Sequence, residues 1–200
     1  MTWRPDLLSA MILQIAKYGN PVLRKKGERI EHITPEIKKL IADMFETMEQ
    51  NHGVGLAAQQ VGVAKQLTVI DIRAATDRPS TLELDGQPAD PTTIMPLVLI
   101  NPEITPVGEP VKGGEGCLSF PEIFGEISRP GVVDVQALDA EGKPISFRCG
   151  GLLARAAQHE RDHLHGVLFI DRMDKKTKAE LQPELDELQA KTKEELKKKK

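Results

Sequence analysis

The sequence predicts an α+β fold: antiparallel β-strands surrounding a central helix over residues 152–165, with N- and C-terminal helices flanking it. Three observations predict it. Apolar residues recur at Ile37, Leu40, Ile41, Met44, Phe45 and Met48, the spacing of one buried helix face. Val132–Leu138 and Ile145–Cys149 alternate on either side of the turn residues 139–143, the pattern of an antiparallel hairpin. Gly150-Gly151 then breaks the strand, and a second helix runs from about Leu152 to His165, stopped by Gly166.

Composition sets the class around that frame. The chain has 200 residues, 40% hydrophobic and 28% charged, which suits one soluble globular domain with a tail. We divide it into an extension over 1–11, a body over 12–171 and a helical, lysine-rich tail over 172–200. The net charge of −3 argues against a nucleic-acid-binding body, so no specific nucleic-acid sequence is expected as a partner. Nothing approaches the roughly 20 apolar residues of a membrane span, so no membrane partner is expected either. Two cysteines are too few for a disulfide framework, which points to a reducing cytoplasm.

In order, Ile12–Ile15 reads as a short strand, and Gly19-Asn20-Pro21 as a turn. Thr34-Pro35-Glu36 opens the first helix with a capping hydroxyl, a proline at the first position and an acid at the positive end. Asn51-His52-Gly53 closes it. The run Gly53–Gly62 has two glycines around Val54 and then small residues, so backbone can approach backbone or ligand closely. Gln66–Ile72 is an apolar strand. Arg73–Pro96 turns to Asp, Thr, Pro and Gly and reads as a long surface excursion, disordered or carrying a small hairpin, with no function of its own. Leu97–Ile100 is a buried strand closed by Asn101-Pro102, and turn residues continue to Gly114. Cys149 reads as a buried thiol. Beyond Asp171 the chain is charged and helix-forming, with leucines at 181, 185, 188 and 196 and an interruption at Pro183. It reads as an amphipathic helix docked along one side.

The chemistry gathers at Gln158-His159-Glu160-Arg161-Asp162-His163. On a helix, residues four apart share a face, so His159 and His163 can offer both imidazoles to one cation. Glu160 follows the first ligand directly and sits beside the ion, where a base for an activated water is needed. The bland alternative is a surface helix with two solvated histidines.

Three stretches then combine: G-V-G-L-A-A-Q-Q at 53–60, E-G-C-L-S at 115–119 and Q-H-E-R-D-H-L-H-G at 158–166. In order and separation they closely resemble the three signature motifs of peptide deformylase, over roughly residues 12–170. The resemblance implies Cys117, His159 and His163 as metal ligands with a water in the fourth position. It implies ferrous iron, with zinc or nickel as substitutes. Three ligands and one open position make a catalytic site. The implied reaction is removal of the N-terminal formyl group from N-formylmethionyl peptides of newly made chains, releasing formate, with Glu160 as general base and acid. It also implies the Gln60 side-chain amide and the Leu118 backbone N–H as oxyanion donors. Val54, Leu152 and Ala156 are candidates for an apolar methionine slot, and Gly55 and Gly116 for backbone bonds to an extended peptide. Glu115 and Arg129 match family positions and would pair as a salt bridge on the rim. Phe124 stands where some members carry arginine, near the substrate entrance. The C-terminal helix with its basic end would dock on the ribosome.

The main rival is a zinc peptidase of the H-E-x-x-H type. Its next ligand position holds Phe169, His165 points off the ligand face, and Glu180 lies in the tail, so Cys117 is the better third ligand. A catalytically idle protein that keeps the metal site is the rival from another class.

Overall fold

A computed structural model of the chain describes residues 10–198, so most of the extension read over 1–11 and the last two lysines lie outside the described residues. The first helix, α1 (Pro35–Gln50), begins at the proline, with the Thr34 hydroxyl accepting from the Ile37 N–H at 3.4 Å. Strands β1 (Gly55–Ala57), β2 (Leu67–Ile70), β3 (Ser80–Leu84), β4 (Gln87–Ala89) and β5 (Leu97–Pro106) follow. After them come β6 (Pro110–Cys117), β7 (Phe120–Pro130), β8 (Val132–Leu138) and β9 (Pro144–Gly150). The chain closes with α2 (Gly151–Leu164), α3 (Lys175–Glu180) and α4 (Gln182–Lys198). Seven strands form one antiparallel sheet in the order β1-β2-β5-β8-β9-β3-β4, and β6 pairs with β7 in a second. The architecture is α+β, the class the periodicities predict.

At β2 the large sheet is covered on both faces, so that strand is buried at every residue instead of alternating. Leu67, Val69, Val98 and Ile100 pack with Ile41, Met44 and Phe45 of α1. Ile70, Leu97, Leu99, Val133 and Val135 pack with Leu152, Leu153 and Ala157 of α2. A third cluster joins Phe120, Ile123 and Ile127 of β7 to Phe169, Ile170 and, from α4, Leu185. Cys149 lies in the α2 cluster, and burial pushes its thiol up to about 12. No helix of the described residues is long and apolar enough to cross a membrane.

Four expectations need correction. Ile12–Ile15 is not a strand: the Leu13 N–H donates to Thr47 Oγ1 at 2.8 Å and the Ala16 N–H to the Gln60 carbonyl at 2.7 Å, so helix and loop take its donors. The excursion 73–96 does carry the small hairpin expected of it, β3–β4, turned by positive φ at Asp85 and Gly86, but it is not only surface: β3 pairs with β9 inside the main sheet. Asn101-Pro102 does not end β5. Asn101 takes a φ of 52° at a bulge between Ile100 and Glu103, and its amide exchanges two 2.9 Å bonds with the Ile30 backbone. The turn-like stretch to Gly114 is the rest of β5 to Pro106 and then β6 from Pro110, which pairs in register with β7. Its glycines hide the alternation of a strand. A Cβ at Gly113 would come within 2.9 Å of the Arg155 guanidinium, so that glycine makes room for the arginine.

Candidate metal centre

The helix α2 carries His159 and His163 one turn apart, with ring centroids 5.0 Å apart. Cys117 ends β6, where the register shifts between Gly116 and Cys117 and so re-aims the thiol. Its Sγ lies 3.3 Å from His163 Nε2, and the ligand atoms of Cys117, His159 and His163 all fall within 4.8 Å of one another. Both imidazoles are buried. One thiolate and two imidazoles form a donor set suited to zinc, iron or nickel. His163 Nδ1 and Glu160 Oε2 are buried with no hydrogen-bond partner among the described residues. The residues fit a cation.

Behind the ligands stands a buried charge network. His159 Nδ1 meets Glu115 Oε2 at 2.9 Å, which leaves Nε2 for a cation. Burial works against the His159 proton, yet its bonds to Cys117 and Glu115 outweigh that and hold its pKa well above the usual value. His163, desolvated and beside His159, is held well below it. A cation held by these residues would take the place of the shared proton. Glu115 accepts from Arg129 at 2.6 and 3.0 Å and from Arg155 at 2.8 Å. Burial alone would raise its pKa, but His159 and Arg129 hold it well below the carboxylate range. Arg129 also bonds Asp162 at 2.8 Å, and Asp162 binds Arg172 at 2.7 Å. The expected rim salt bridge is therefore wrong in place: Glu115 and Arg129 pair, but with both side chains 4% exposed, beneath the ligands.

The centre opens on a cavity of about 470 Å³. Gln60, Cys117, Leu118, His159 and Glu160 line it together with Val54, Gly55, Gly116, Leu152 and Ala156, so the predicted site converges. Of the proposed ligands, His163 alone lies outside that lining, packed behind the thiol. The Ala57 N–H donates to Gln60 Oε1 at 2.8 Å, which turns the Gln60 NH₂ towards Cys117 Sγ at 3.4 Å and Ser119 Oγ at 3.3 Å. Gln59 packs instead against Gly27. A Cβ at Gly55 would collide with Glu160 Oε1, so glycine is what lets β1 approach the carboxylate. Among the described residues, two strand edges face the cavity without a strand partner there, since β1 ends the large sheet and β6 pairs with β7 alone.

Sequence reasoning missed several residues. Arg155 lies one turn before His159 on α2, a spacing that could have flagged it. It bonds Glu115 and the carbonyls of Val111 and Ile127 at 2.8 and 3.0 Å, tying α2 to both strands of the small sheet. Lys17 donates to the Leu118 carbonyl at 2.8 Å and lines the cavity, and no local pattern announces it.

The geometry agrees with what this chain is similar to. The family model described as polypeptide deformylase matches residues 12–179. A peptide deformylase of Opitutus terrae is 47% identical over 89% of this chain and 93% of that one. One of Methylacidiphilum infernorum is 44% identical over 89% and 93%. Among solved structures, the Arabidopsis thaliana peptide deformylase 1B superposes with a TM-score of 0.78 at 37% identity, covering 92% of this chain and 93% of that one. The Legionella pneumophila enzyme gives 0.74 at 35%, covering 88% and 95%. By sequence, by fold and by the cysteine and two histidines gathered beside a glutamate, the chain belongs to the polypeptide deformylases, metalloenzymes that remove the N-terminal formyl group from nascent polypeptides.

Proposed function

We propose that Cys117, His159 and His163 on and beside a central metal-binding helix hold a divalent cation, and that Glu160, Gln60 and Leu118 run formyl hydrolysis next to it. The observation that carries this reading is the three ligand atoms within 4.8 Å of one another at a cavity that Glu160 also lines. When bound, the cation supplies Lewis-acid chemistry, making a water acidic near neutral pH and polarising the formyl oxygen. Glu160 takes the proton of the attacking water and returns it to the methionyl nitrogen as the C–N bond breaks, so water and formamide become formate and amine. The Gln60 NH₂, its carbonyl fixed by Ala57, and the Leu118 N–H donate to the oxyanion. The methionine side chain enters the slot of Val54, Leu152 and Ala156. Its backbone adds as a strand between the free edges at Gly55 and Gly116.

The cation is ferrous iron, with zinc or nickel as substitutes, and a thiolate ligand with an oxidisable metal suits a reducing cytoplasm. The catalytic body spans 12–171, and the helical tail 172–200 docks on the ribosome through its lysine-rich end. The test is formate release from formyl-methionyl peptides by anaerobically purified protein. Wild type releases formate, and Glu160→Ala loses about 10²–10⁴ in rate. Undiminished activity in that variant would remove the general-base role. Cys117→Ser is expected to lose bound metal, and unchanged metal content would exclude the thiol as a ligand.

A further inference from the structure

We infer that Lys17 is a positioning residue for the reaction: its ammonium holds the Leu118 backbone so that the Leu118 N–H faces the developing oxyanion. This rests on the cavity being the site of formyl hydrolysis. Lys17 Nζ donates to the Leu118 carbonyl at 2.8 Å, from far away in the chain, and both residues line the cavity. Lys17 is half-buried, and among the described residues no carboxylate pairs with it. Burial works against its charge, and only nearby Cys117 favours it. A surface lysine avoids that cost by turning its head into water. Lys17 instead directs its charge at one backbone carbonyl, on the residue after a proposed ligand.

The turn at Leu118 needs such a hold. Cys117 ends β6 and Phe120 begins β7, so Leu118 and Ser119 alone connect the strands. Two-residue turns that match the twist of their strands use positive φ. Neither Leu118 nor Ser119 has it, and the ladder shifts register just before them, between Gly116 and Cys117. Support comes from outside the hairpin, from three consecutive residues. The Ala16 N–H donates to the Gln60 carbonyl at 2.7 Å, Lys17 to Leu118, and the Tyr18 N–H to the Ser119 carbonyl at 2.9 Å. Residues 16–18 thus strap together the two oxyanion donors proposed above, Gln60 and Leu118. Tyr18 also stacks on Phe120 with ring centroids 4.8 Å apart, so the strap is anchored without the Lys17 head. What the ammonium adds is local. Two soft torsions separate the carbonyl of Leu118 from its N–H, so a carbonyl that cannot turn limits where the N–H points. Among the described residues that N–H donates to no acceptor, which leaves it for the cavity. Released by Lys17, the carbonyl is free to rotate towards the oxyanion and repel it.

The experiment measures kcat and KM for formate release from a formyl-Met-Ala-Ser peptide, with metal content and Tm on the same preparations. The proteins are metal-loaded wild type, Lys17→Ala, Lys17→Met, Lys17→Arg and Lys26→Ala. We expect Lys17→Ala and Lys17→Met to lose about 10- to 10²-fold in kcat with KM within about twofold, because one oxyanion donor is misaimed and not removed. Their metal content and Tm stay close to those of wild type. Lys17→Arg keeps most of the rate, and Lys26→Ala, exposed and outside the cavity, keeps all of it. Propylammonium ion enters the space left in Lys17→Ala and restores its kcat several-fold. It leaves Lys17→Met unchanged, because the methionine stem fills that space. Wild-type kcat in Lys17→Met overturns the assignment, as does a loss in Lys17→Ala that propylammonium does not restore or that Lys26→Ala shares. A loss that follows metal content or Tm makes Lys17 a folding residue and overturns it as well. Absence of formate with wild type overturns instead the functional reading beneath it.

Discussion

Glu160 is buried, and burial pushes its carboxyl up to about 7 against the pull of His159 and Arg129. The base we propose must be ionised, so activity is expected to fall as pH drops through this group's pKa. A divalent cation held beside it would draw that pKa down, so the acid limb of kcat/KM is expected between the ordinary 4.5 and about 7. A pH profile flat down to 4.5 would exclude Glu160 as the base. The same carboxylate explains Gly55. Any Cβ there meets Glu160 Oε1, so Gly55→Ala is expected to keep its metal content and fold while losing about 10²-fold in kcat through a misplaced base. Metal analysis, circular dichroism and kinetics on one preparation separate those outcomes. The pairing of His159 with His163 was legible because a helix converts a spacing of four into a shared face, with Glu160 beside it. The role of Gly55 was only half legible: a glycine announces close approach, but not which atom approaches.

At the level of elements, the small sheet and α2 are joined by charge. Arg129 sits between Glu115 and Asp162, and all three side chains are no more than 5% exposed. Removing the guanidinium leaves two carboxylates buried without it, so Arg129→Met is expected to destabilise by about 3–5 kcal/mol. Arg172, 46% exposed, binds the same Asp162 from the surface, and Arg172→Ala should cost under about 1 kcal/mol. Denaturant melts of the two variants check the contrast, and equal losses would contradict it. Because the Glu115 pKa is depressed, its contribution to stability is full above the ordinary carboxylate pKa. It is lost as pH falls through the depressed value, so wild type should hold this network into strong acid. Periodicity made α1, α2 and the β8–β9 hairpin legible. It hid β6 and β7, whose glycines and charges break the alternation because Arg155 of α2, Met173 and Phe124 of β7 itself fill the glycine positions. The depth of Glu115 and Arg129 was illegible for a related reason: charges read as surface until their partners are known.

Across the whole molecule, the tail is not a loose appendage, although its sequence is mostly charge. Leu185 of α4 is buried in the cluster that also holds Phe120 and Phe169. Phe169 in turn lies 6.1 Å from the His159 ring. Truncation after Asp171 would strip that cluster and disturb the metal centre, so it cannot by itself test ribosome docking. Point changes can. Leu185→Ala is expected to lose about 2–5 kcal/mol, lowering Tm by roughly 2–4 °C per kcal/mol in a chain of this size. Replacing the exposed Lys197 and Lys198 with glutamate should leave Tm within about 1 °C, since surface charges contribute little to folding. If those lysines meet phosphate, the charge-reversed protein will co-sediment less with ribosomes at low salt. The wild type will lose its association steeply as salt rises, because each phosphate contact releases condensed counterions. Sedimentation unchanged by both the charge reversal and the salt would rule out the lysine end as the docking element and leave α4 a packing helix alone.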